Sequence, residues 1–583
     1  MLQDADWPSK MPNQIGMGGS ISAAIAVILK VRIAAPMHKN YKYAFYAAFL
    51  VALGMLAGFQ LKESVHYERR QEISSGFEKI QEAIWFVERN YVKEPDTKKM
   101  VDDAIAGMLK GLDPHSFYID AQEMKAMDEE MEGSFEGVGI EFNLLEDTIY
   151  VVSAISGGPS EKSGVQAGDR IVRIDGKNVA GIGIANSDVM KYLRGPKGSN
   201  VKVEVARRNA RNLLTFNITR DKIPLYSVDY SYMMNDEVGY LKISRFASTT
   251  HDEFREHTKK LKQAGMKGMI LDLRGNPGGY MQMAEKIADE FLTEGKLVVY
   301  TEGRVYESKS KYKATSYLNL FEEGPLVVLL DFGSASASEI VAGAVQDWDR
   351  GLIVGVRSFG KGMVQTQKEF SDGSAMRLVI SEYHTPSGRC IQKPFNMSAE
   401  EYELELLERF KRGELYDESK VDLPDSLKFK TNSGRVVYGG GGIMPDVFVA
   451  RDTTTDSDYM SDLLGANAFR EFAYQYVEDV SAWKKQYPDA GAFLKGFVVD
   501  EALLSRFVSY SAGKGVKQDQ AGLATSKRDI QAYLKAFIGR RLYNDDGFYP
   551  AFNEVDNVVQ RALTLMPQAK ELLKKGKFTL PAK

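Results

Sequence analysis

Hydrophobic positions change their spacing several times along the chain, and each change marks a boundary. Tyr43–Phe59 is an uninterrupted run of seventeen uncharged, mainly apolar residues, between the length of a secretory signal core and that of a minimal membrane span. Phe77, Ile80, Ile84 and Val87 then recur at spacings of three, four and three, which predicts an amphipathic helix over Glu72–Tyr91, with a second over Thr97–Leu109. From Gly133 to Arg207 short stretches between glycine turns predict strands, beginning with Glu136–Phe142 and Ile149–Val152, and a helix at Ser187–Leu193. From Gly239 strands and helices alternate: Tyr240–Arg245, Asp252–Lys262, Met269–Leu273, Met281–Phe291, Leu297–Tyr300, Leu326–Leu330, Ser334–Asp347, Leu352–Val356 and Ala375–Glu382. Continuous apolar runs such as Leu326–Leu330 fit strands buried on both faces, so this region predicts an α/β core. Beyond Arg451 only helical stripes remain, Phe469, Phe472, Tyr476 and Val480, then Ile530, Tyr533, Leu534 and Phe537.

The densest chemistry lies in Pro325–Gln365. A buried strand feeding directly into a helix sets the intervening turn at the helix's positive end, where backbone N–H groups lack intrahelical partners. Ser336 stands there, placed to attack a carbonyl if a base takes its proton. The same four residues, Ser336 to Glu339, also read as a capping box, in which the serine is a helix cap and nothing more; spacing alone favours that reading. Across the next strand, Ser358-Phe-Gly-Lys361-Gly places a lysine between two glycines. A lysine held there and desolvated loses part of its preference for charge and can act as a general base, whereas an ordinary surface lysine fits the spacing about as well. The Gly275-Asn-Pro-Gly-Gly279 turn after Gly268–Gly275 reads on its own as a sharp strand-to-helix connection.

Taken together, SASASEI, the following QD, SFGKGMVQ and the upstream DLRGNPGG (Asp272–Gly279) closely resemble the carboxy-terminal processing, or tail-specific, proteases with a serine/lysine pair, over about Phe77 to Val449. The resemblance implies Ser336 as nucleophile, Lys361 as general base, Gln365 as the residue orienting that lysine, and the N–H groups of Gly278 and Ala337 as the oxyanion site. Glu339 and Ser358 become supports of the site. Asp347 also belongs to the pattern, but about 16 Å of regular helix separate it from Ser336, so it is expected to support fold or loop geometry. The Gly133–Arg207 region resembles a PDZ domain. A peptide would add as a strand along Gly137, Val138, Gly139, Ile140 and Phe142, its terminal carboxylate in a nest of N–H groups and its apolar end against Ile140, Phe142, Val189 and Leu193. The implied fold is an α/β protease core (β/α sandwich, crotonase-like) with an inserted PDZ domain, an N-terminal helical region and a mainly helical C-terminal extension.

Composition trims the alternatives. A net charge of −4 over 583 residues offers no bulk electrostatic case for nucleic-acid binding. The single cysteine, Cys390, forms no intramolecular disulfide, and six histidines without an HExxH pattern give no metal site, so no cofactor is expected. Gly181-Ile-Gly-Ile lacks the third glycine of a dinucleotide fingerprint. Met37-His-Lys-Asn-Tyr-Lys42 supplies a basic segment before the apolar run, which predicts export to the cell envelope (periplasm) and a transmembrane helix at 43–59, an uncleaved anchor being favoured over a cleaved signal. The expected organisation is an overextended start (1–36), signal anchor or signal peptide (37–61), helical region (62–132), PDZ domain (133–210), protease core (211–450) and helical extension (451–583). Expected partners are peptides or proteins with free apolar C-termini, with a homo-oligomer or activating adaptor left open. A catalytically silent PDZ scaffold is the competing function.

Overall fold

The computed structural model describes residues 48–52, 55 and 74–580, apart from 146, 156, 208–209, 317–318 and 395–398. The transmembrane helix expected at 43–59 requires correction: among the described residues no helix is long and apolar enough to cross a membrane. Only 48–52 and 55 of that stretch are described, and the expectation for residues 1–36 lies outside the described residues. Residues 74–90 are helical, and a second helix follows at Thr97–Lys110.

The alternating region builds a six-stranded sheet in the order Val228–Met233, Val238–Ile243, Gly268–Asp272, Leu326–Leu330, Leu352–Gly355 and Val447–Phe448. Its first pair is antiparallel and all later pairs are parallel. Parallel strands need crossover helices and cover on both faces, and the side chains divide with a period of two. Leu326, Val328 and Leu330 join Met269, Leu271 and Ile353 in one core, against the helices Thr250–Gln263, Met281–Asp289 and Ala337–Asp347. Val327, Leu329, Ile270, Leu352 and Val354 face the other way and meet Val558, Val559, Ala562, Leu565 and Leu572. These last residues belong to Asn557–Thr564 and Met566–Lys575 and, for Leu565, to the junction between them, so the far end of the C-terminal extension closes the second face of the sheet.

A second, antiparallel sheet carries Phe117–Ile119, Ala375–His384, Leu297–Gly303 and Ser310–Lys313, with Met363–Glu369 also paired to Ala375–His384. Between Gly137 and Asp221 the chain forms a separate module. Its sheet runs Ile140–Leu145, Thr148–Ala154, Arg170–Ile174, Asn200–Ala206 and Leu214–Thr219, closed by the helix Asn186–Leu193 over its own apolar core. The segments entering and leaving it, Ser134–Gly137 and Asp221–Pro224, pair antiparallel, which makes the module an insertion on a two-stranded stalk. The rest of the extension, from Asp458–Gly465 to Asp545–Asn553, gathers Phe469, Phe472, Phe493, Phe507, Ile530 and Leu534 into another core. The fold class is therefore an α/β core with an inserted β-rich module and a mainly helical C-terminal extension.

Candidate active site

The turn after Leu326–Leu330 ends at Ser336, whose backbone lies at φ +52°, ψ −111°. A non-glycine residue in that region carries strain of about 1–3 kcal/mol and needs its surroundings to hold it. Glu339 does much of that holding. Its Oε2 accepts the Ser336 N–H at 2.8 Å, while the Glu339 N–H donates to the Ser336 carbonyl at 2.9 Å. Thus the two residues stand in a capping-box arrangement, yet the Ser336 hydroxyl makes no cap hydrogen bond. Among the described residues the hydroxyl has no hydrogen-bond partner, which leaves it available for chemistry rather than committed to the helix.

Glu339 is fully buried and serves a second loop as well. Its Oε1 accepts the Ser358 hydroxyl at 2.6 Å and the Gly360 N–H at 2.8 Å, and its Oε2 accepts the Lys361 N–H at 2.9 Å. One carboxylate therefore ties the serine turn to the lysine loop through four donors. Burial pushes its pKa up to about 7, with the donated hydrogen bonds opposing the rise. Tyr383 makes a parallel tie: its hydroxyl donates to the Lys361 carbonyl at 2.6 Å and lies 3.0 Å from the Ser336 carbonyl. Ser358 extends the brace by accepting the Ile443 N–H at 2.6 Å.

Lys361 is half-buried, and burial, with the nearby Arg377 charge, lowers its pKa below the ordinary lysine value; the Glu339 charge acts in the opposite sense. Among the described residues its ammonium nitrogen makes no hydrogen bond or ion pair. Gln365 is not bonded to that nitrogen; its amide donates to the carbonyl of His115. The His115 ring sits against Tyr402, Nε2 to hydroxyl 2.8 Å, and burial pushes its pKa down to about 4, with the Lys361 charge the next contribution. A neutral imidazole thus lies near the lysine. His115 stands in the Leu112-Asp-Pro-His-Ser116 segment, 250 residues before Gln365, and no local pattern announces their approach.

The glycine turn closes on the serine from the other side. Gly278 has φ +101°, and a β-carbon there would come within 2.7 Å of Ser336 Cβ and 2.9 Å of Ala337 N, so only glycine fits this approach. Ala337 opens the helix, where its N–H has no intrahelical acceptor. The Gly278 N–H donates to Asn276 Oδ1 at 2.9 Å. The expected oxyanion donor is thus occupied here by a side chain of its own turn. Further rivets join the loops: Ala335 N–H to Asn276 O at 3.0 Å and Ser334 hydroxyl to Leu273 O at 2.9 Å. At the opposite end of the Ala337–Asp347 helix, Asp347 pairs with Arg389 at 2.8 Å and accepts from Thr385 and Ser387, fixing the turn after His384 without approaching Ser336.

In the inserted module Ile140–Leu145 lies at an edge of the sheet. Gly139 has φ +73°, and Gly137 bridges to Arg194. Val138, Val189 and Leu193 are buried in the module's own core, because the Asn186–Leu193 helix packs directly on the sheet. Of the four apolar residues expected to face a tail, Ile140 and Phe142 are the two that keep substantial surface. Gly183 and Ile184 donate their N–H groups to Asp147 at 2.7 and 3.0 Å, which accounts for the Gly181-Ile-Gly-Ile loop as a brace within the module.

Comparison with known proteins agrees with this layout. Residues 237–396 match peptidase family S41, residues 137–219 match the PDZ domain, and residues 49–123 match the activating protease CtpB N-terminal domain. Carboxy-terminal processing protease CtpA of Bacillus subtilis is 37% identical over 378 residues, covering 65% of this chain and 76% of that protein. The chain belongs to the carboxy-terminal processing proteases. The carboxy-terminal-processing protease of Bartonella bacilliformis is 40% identical over 310 residues, covering 52% of this chain and 70% of that one. CtpB of Bacillus subtilis is 36% identical over 325 residues, with shares of 55% and 67%. This processing protease is therefore a serine-type endopeptidase with PDZ-mediated recognition of substrate C-termini. Residues 459–544 match a family of unknown function.

Proposed function

We propose that the protease cleaves unfolded or tailed proteins through an acyl-enzyme formed on Ser336, with Lys361 as general base. Tail capture by the PDZ domain raises the local concentration of the chain to be cut. Lys361, neutral in the reactive state, takes the Ser336 proton as Oγ attacks the scissile carbonyl. The Ala337 N–H and the Gly278 N–H, once released from Asn276, receive the oxyanion. The lysine then returns the proton to the leaving amine, and water cleaves the ester. In this reading Glu339, Ser358 and Tyr383 set the geometry, Gln365 joins the lysine loop to the His115 turn, and Asp347 serves the fold. The edge of Ile140–Leu145 that has no strand partner among the described residues, entered through Gly137, Val138 and Gly139, receives the tail, with Ile140 and Phe142 against its last side chain. The parallel order of the core strands fits the crotonase-like sandwich implied by the family resemblance. The basic segment before residue 43 supports work on the exported side of the cell envelope.

The observation that carries the reading is the single buried Glu339 carboxylate bonded to the backbones of both Ser336 and Lys361. The test is cleavage of an unfolded substrate with an apolar C-terminus, free or amidated, by wild-type and Ser336→Ala enzymes. The reading predicts turnover only for wild type and a higher KM for the amidated tail. Equal turnover by Ser336→Ala overturns it, and tail binding without cleavage by wild type supports a silent scaffold.

A further inference from the structure

The C-terminal extension lies outside the peptidase and PDZ segments, yet it reaches the glycine turn beside Ser336. Arg274 opens that turn. Its guanidinium is shared between Asp272, with Nη2 to Oδ2 at 2.7 Å, and Asp556, with Nη1 to Oδ1 at 3.1 Å and Nη2 to Oδ2 at 2.9 Å. Asp272 stands at the end of the Gly268–Asp272 strand and is completely buried. Asp556 caps the helix Asn557–Thr564, accepting the Val558 and Val559 N–H groups at 3.0 and 3.1 Å. Asp272 grips the guanidinium in a fork, Nε to Oδ1 at 3.0 Å and Nη2 to Oδ2 at 2.7 Å, and Asp556 adds a second fork that ties the same guanidinium to the extension.

The turn that follows has little stiffness of its own, since Gly275, Gly278 and Gly279 all have positive φ, and it is held by its neighbours, among them Asp331 through the Gly275 N–H and Phe246 through the Gly278 carbonyl. Arg274, Asp556 and Asn557 line a cavity of about 490 Å³ together with Asp331 and Phe332 of the loop leading to Ser336 and with apolar residues of both parts such as Val356, Phe552 and Val558, and the Arg274–Asp556 pair is a charged contact between the extension and the turn. The extension itself is well anchored: Tyr230 donates to Asp546 at 2.8 Å and Asn553 donates to the Tyr232 hydroxyl at 3.0 Å.

We propose that Asp556 is a positioning residue for catalysis, holding the Gly275–Gly279 turn against Ser336 through Arg274. The extension is on this account a working part of the catalytic core. The proposal rests on the assignment of Ser336 and of the Gly278 turn made above. It also explains why an N-cap carries a carboxylate directed at a catalytic loop.

Asparagine caps helices as well as aspartate does, so Asp556→Asn removes the charge that orients Arg274 while keeping the cap. Asp500→Ala removes an ordinary cap elsewhere in the extension, where Asp500 accepts the Leu503 N–H at 2.8 Å. The expected result for Asp556→Asn is a fall in kcat of about tenfold, of the kind a small misplacement of catalytic groups produces. Affinity for a peptide boronate, which forms a tetrahedral adduct on serine, should weaken in parallel, with KM and tail-peptide affinity unchanged and Tm within about 2 °C of wild type. Asp500→Ala should lower Tm and leave kcat unchanged. Wild-type kcat in Asp556→Asn overturns the proposal, as does an equal loss of kcat in Asp500→Ala. Ser336→Ala assayed alongside separates the two levels: if it is inactive while Asp556→Asn is normal, only the positioning role fails, whereas an active Ser336→Ala removes the assignment beneath it.

Discussion

Two buried carboxylates on one helix, Glu339 near its start and Asp347 at its end, are stabilised in opposite ways. Asp347 faces Arg389 at 2.8 Å, a buried ion pair with both side chains almost fully out of solvent. Glu339 accepts three backbone N–H groups and one hydroxyl. The difference matters because of Lys361. A carboxylate bonded directly to its ammonium would hold the lysine charged and useless as a base, whereas Glu339 grips the same residue by its backbone and leaves the side chain to burial. The helix thus has a structural end held by a cation and a chemical end held by neutral donors.

The largest expected effect comes from emptying the chemical end. Lys361→Ala should lower kcat by roughly 10⁴-fold or more, as loss of one member of a catalytic unit does, with unchanged tail-peptide affinity measured by calorimetry. Residual turnover within tenfold of wild type would break the distinction drawn here. Glu339→Gln comes next. The amide presents one acceptor oxygen and an NH₂ to four donors, so kcat should fall by about 10²-fold, measured under saturating substrate.

The pH dependence sharpens the same point. Glu339 must be ionised to accept all four donors, and its raised pKa of about 7 places that requirement near neutrality. As the proposed general base Lys361 must be neutral, and its lowered pKa brings that condition below the ordinary lysine range. Both requirements are met by raising pH, so kcat/KM should climb through about 7 toward an alkaline plateau. In Glu339→Gln the limb near neutrality should vanish while the lysine limb stays.

At the structural end the readout is stability. Asp347→Asn leaves Arg389 buried with its charge unmatched and should cost about 3–5 kcal/mol in unfolding free energy, with kcat of the folded enzyme changed only a few-fold. Tyr383→Phe should be the mildest. It removes one hydrogen bond to Lys361 O, worth about 1 kcal/mol, and should reduce kcat by less than tenfold.

Much of this core could be read from local pattern. The apolar run Leu326–Leu330, the small-residue turn to Ser336 and the glycine-flanked Lys361 are each contained within a few residues, and period and glycine placement expose them. The Ser336–Glu339 spacing was legible as a capping box. That the carboxylate also receives Ser358, Gly360 and Lys361 was not, because those donors lie about twenty residues away across a strand. The same limit hid the role of the last helices. Val558, Val559 and Leu572 form an ordinary amphipathic stripe, and nothing nearby in the chain says that the surface they cover is Val327 and Leu329. The Asn186–Leu193 helix shows the reverse error: Val189 and Leu193 have the spacing of a pocket wall, but the first demand on an apolar helix face is its own domain's core. At 43–59 the apolar length suggested a span that no described helix provides.

The central claim is that Glu339 fixes the lysine loop beside Ser336 while leaving the amine of Lys361 free to lose its proton. Titration of the enzyme carrying ¹³Cε-labelled lysine, with the Lys361 signal assigned by its loss in Lys361→Met, measures this directly. The account predicts a midpoint clearly below the ordinary lysine value of about 10.4. A midpoint at or above that value would contradict it.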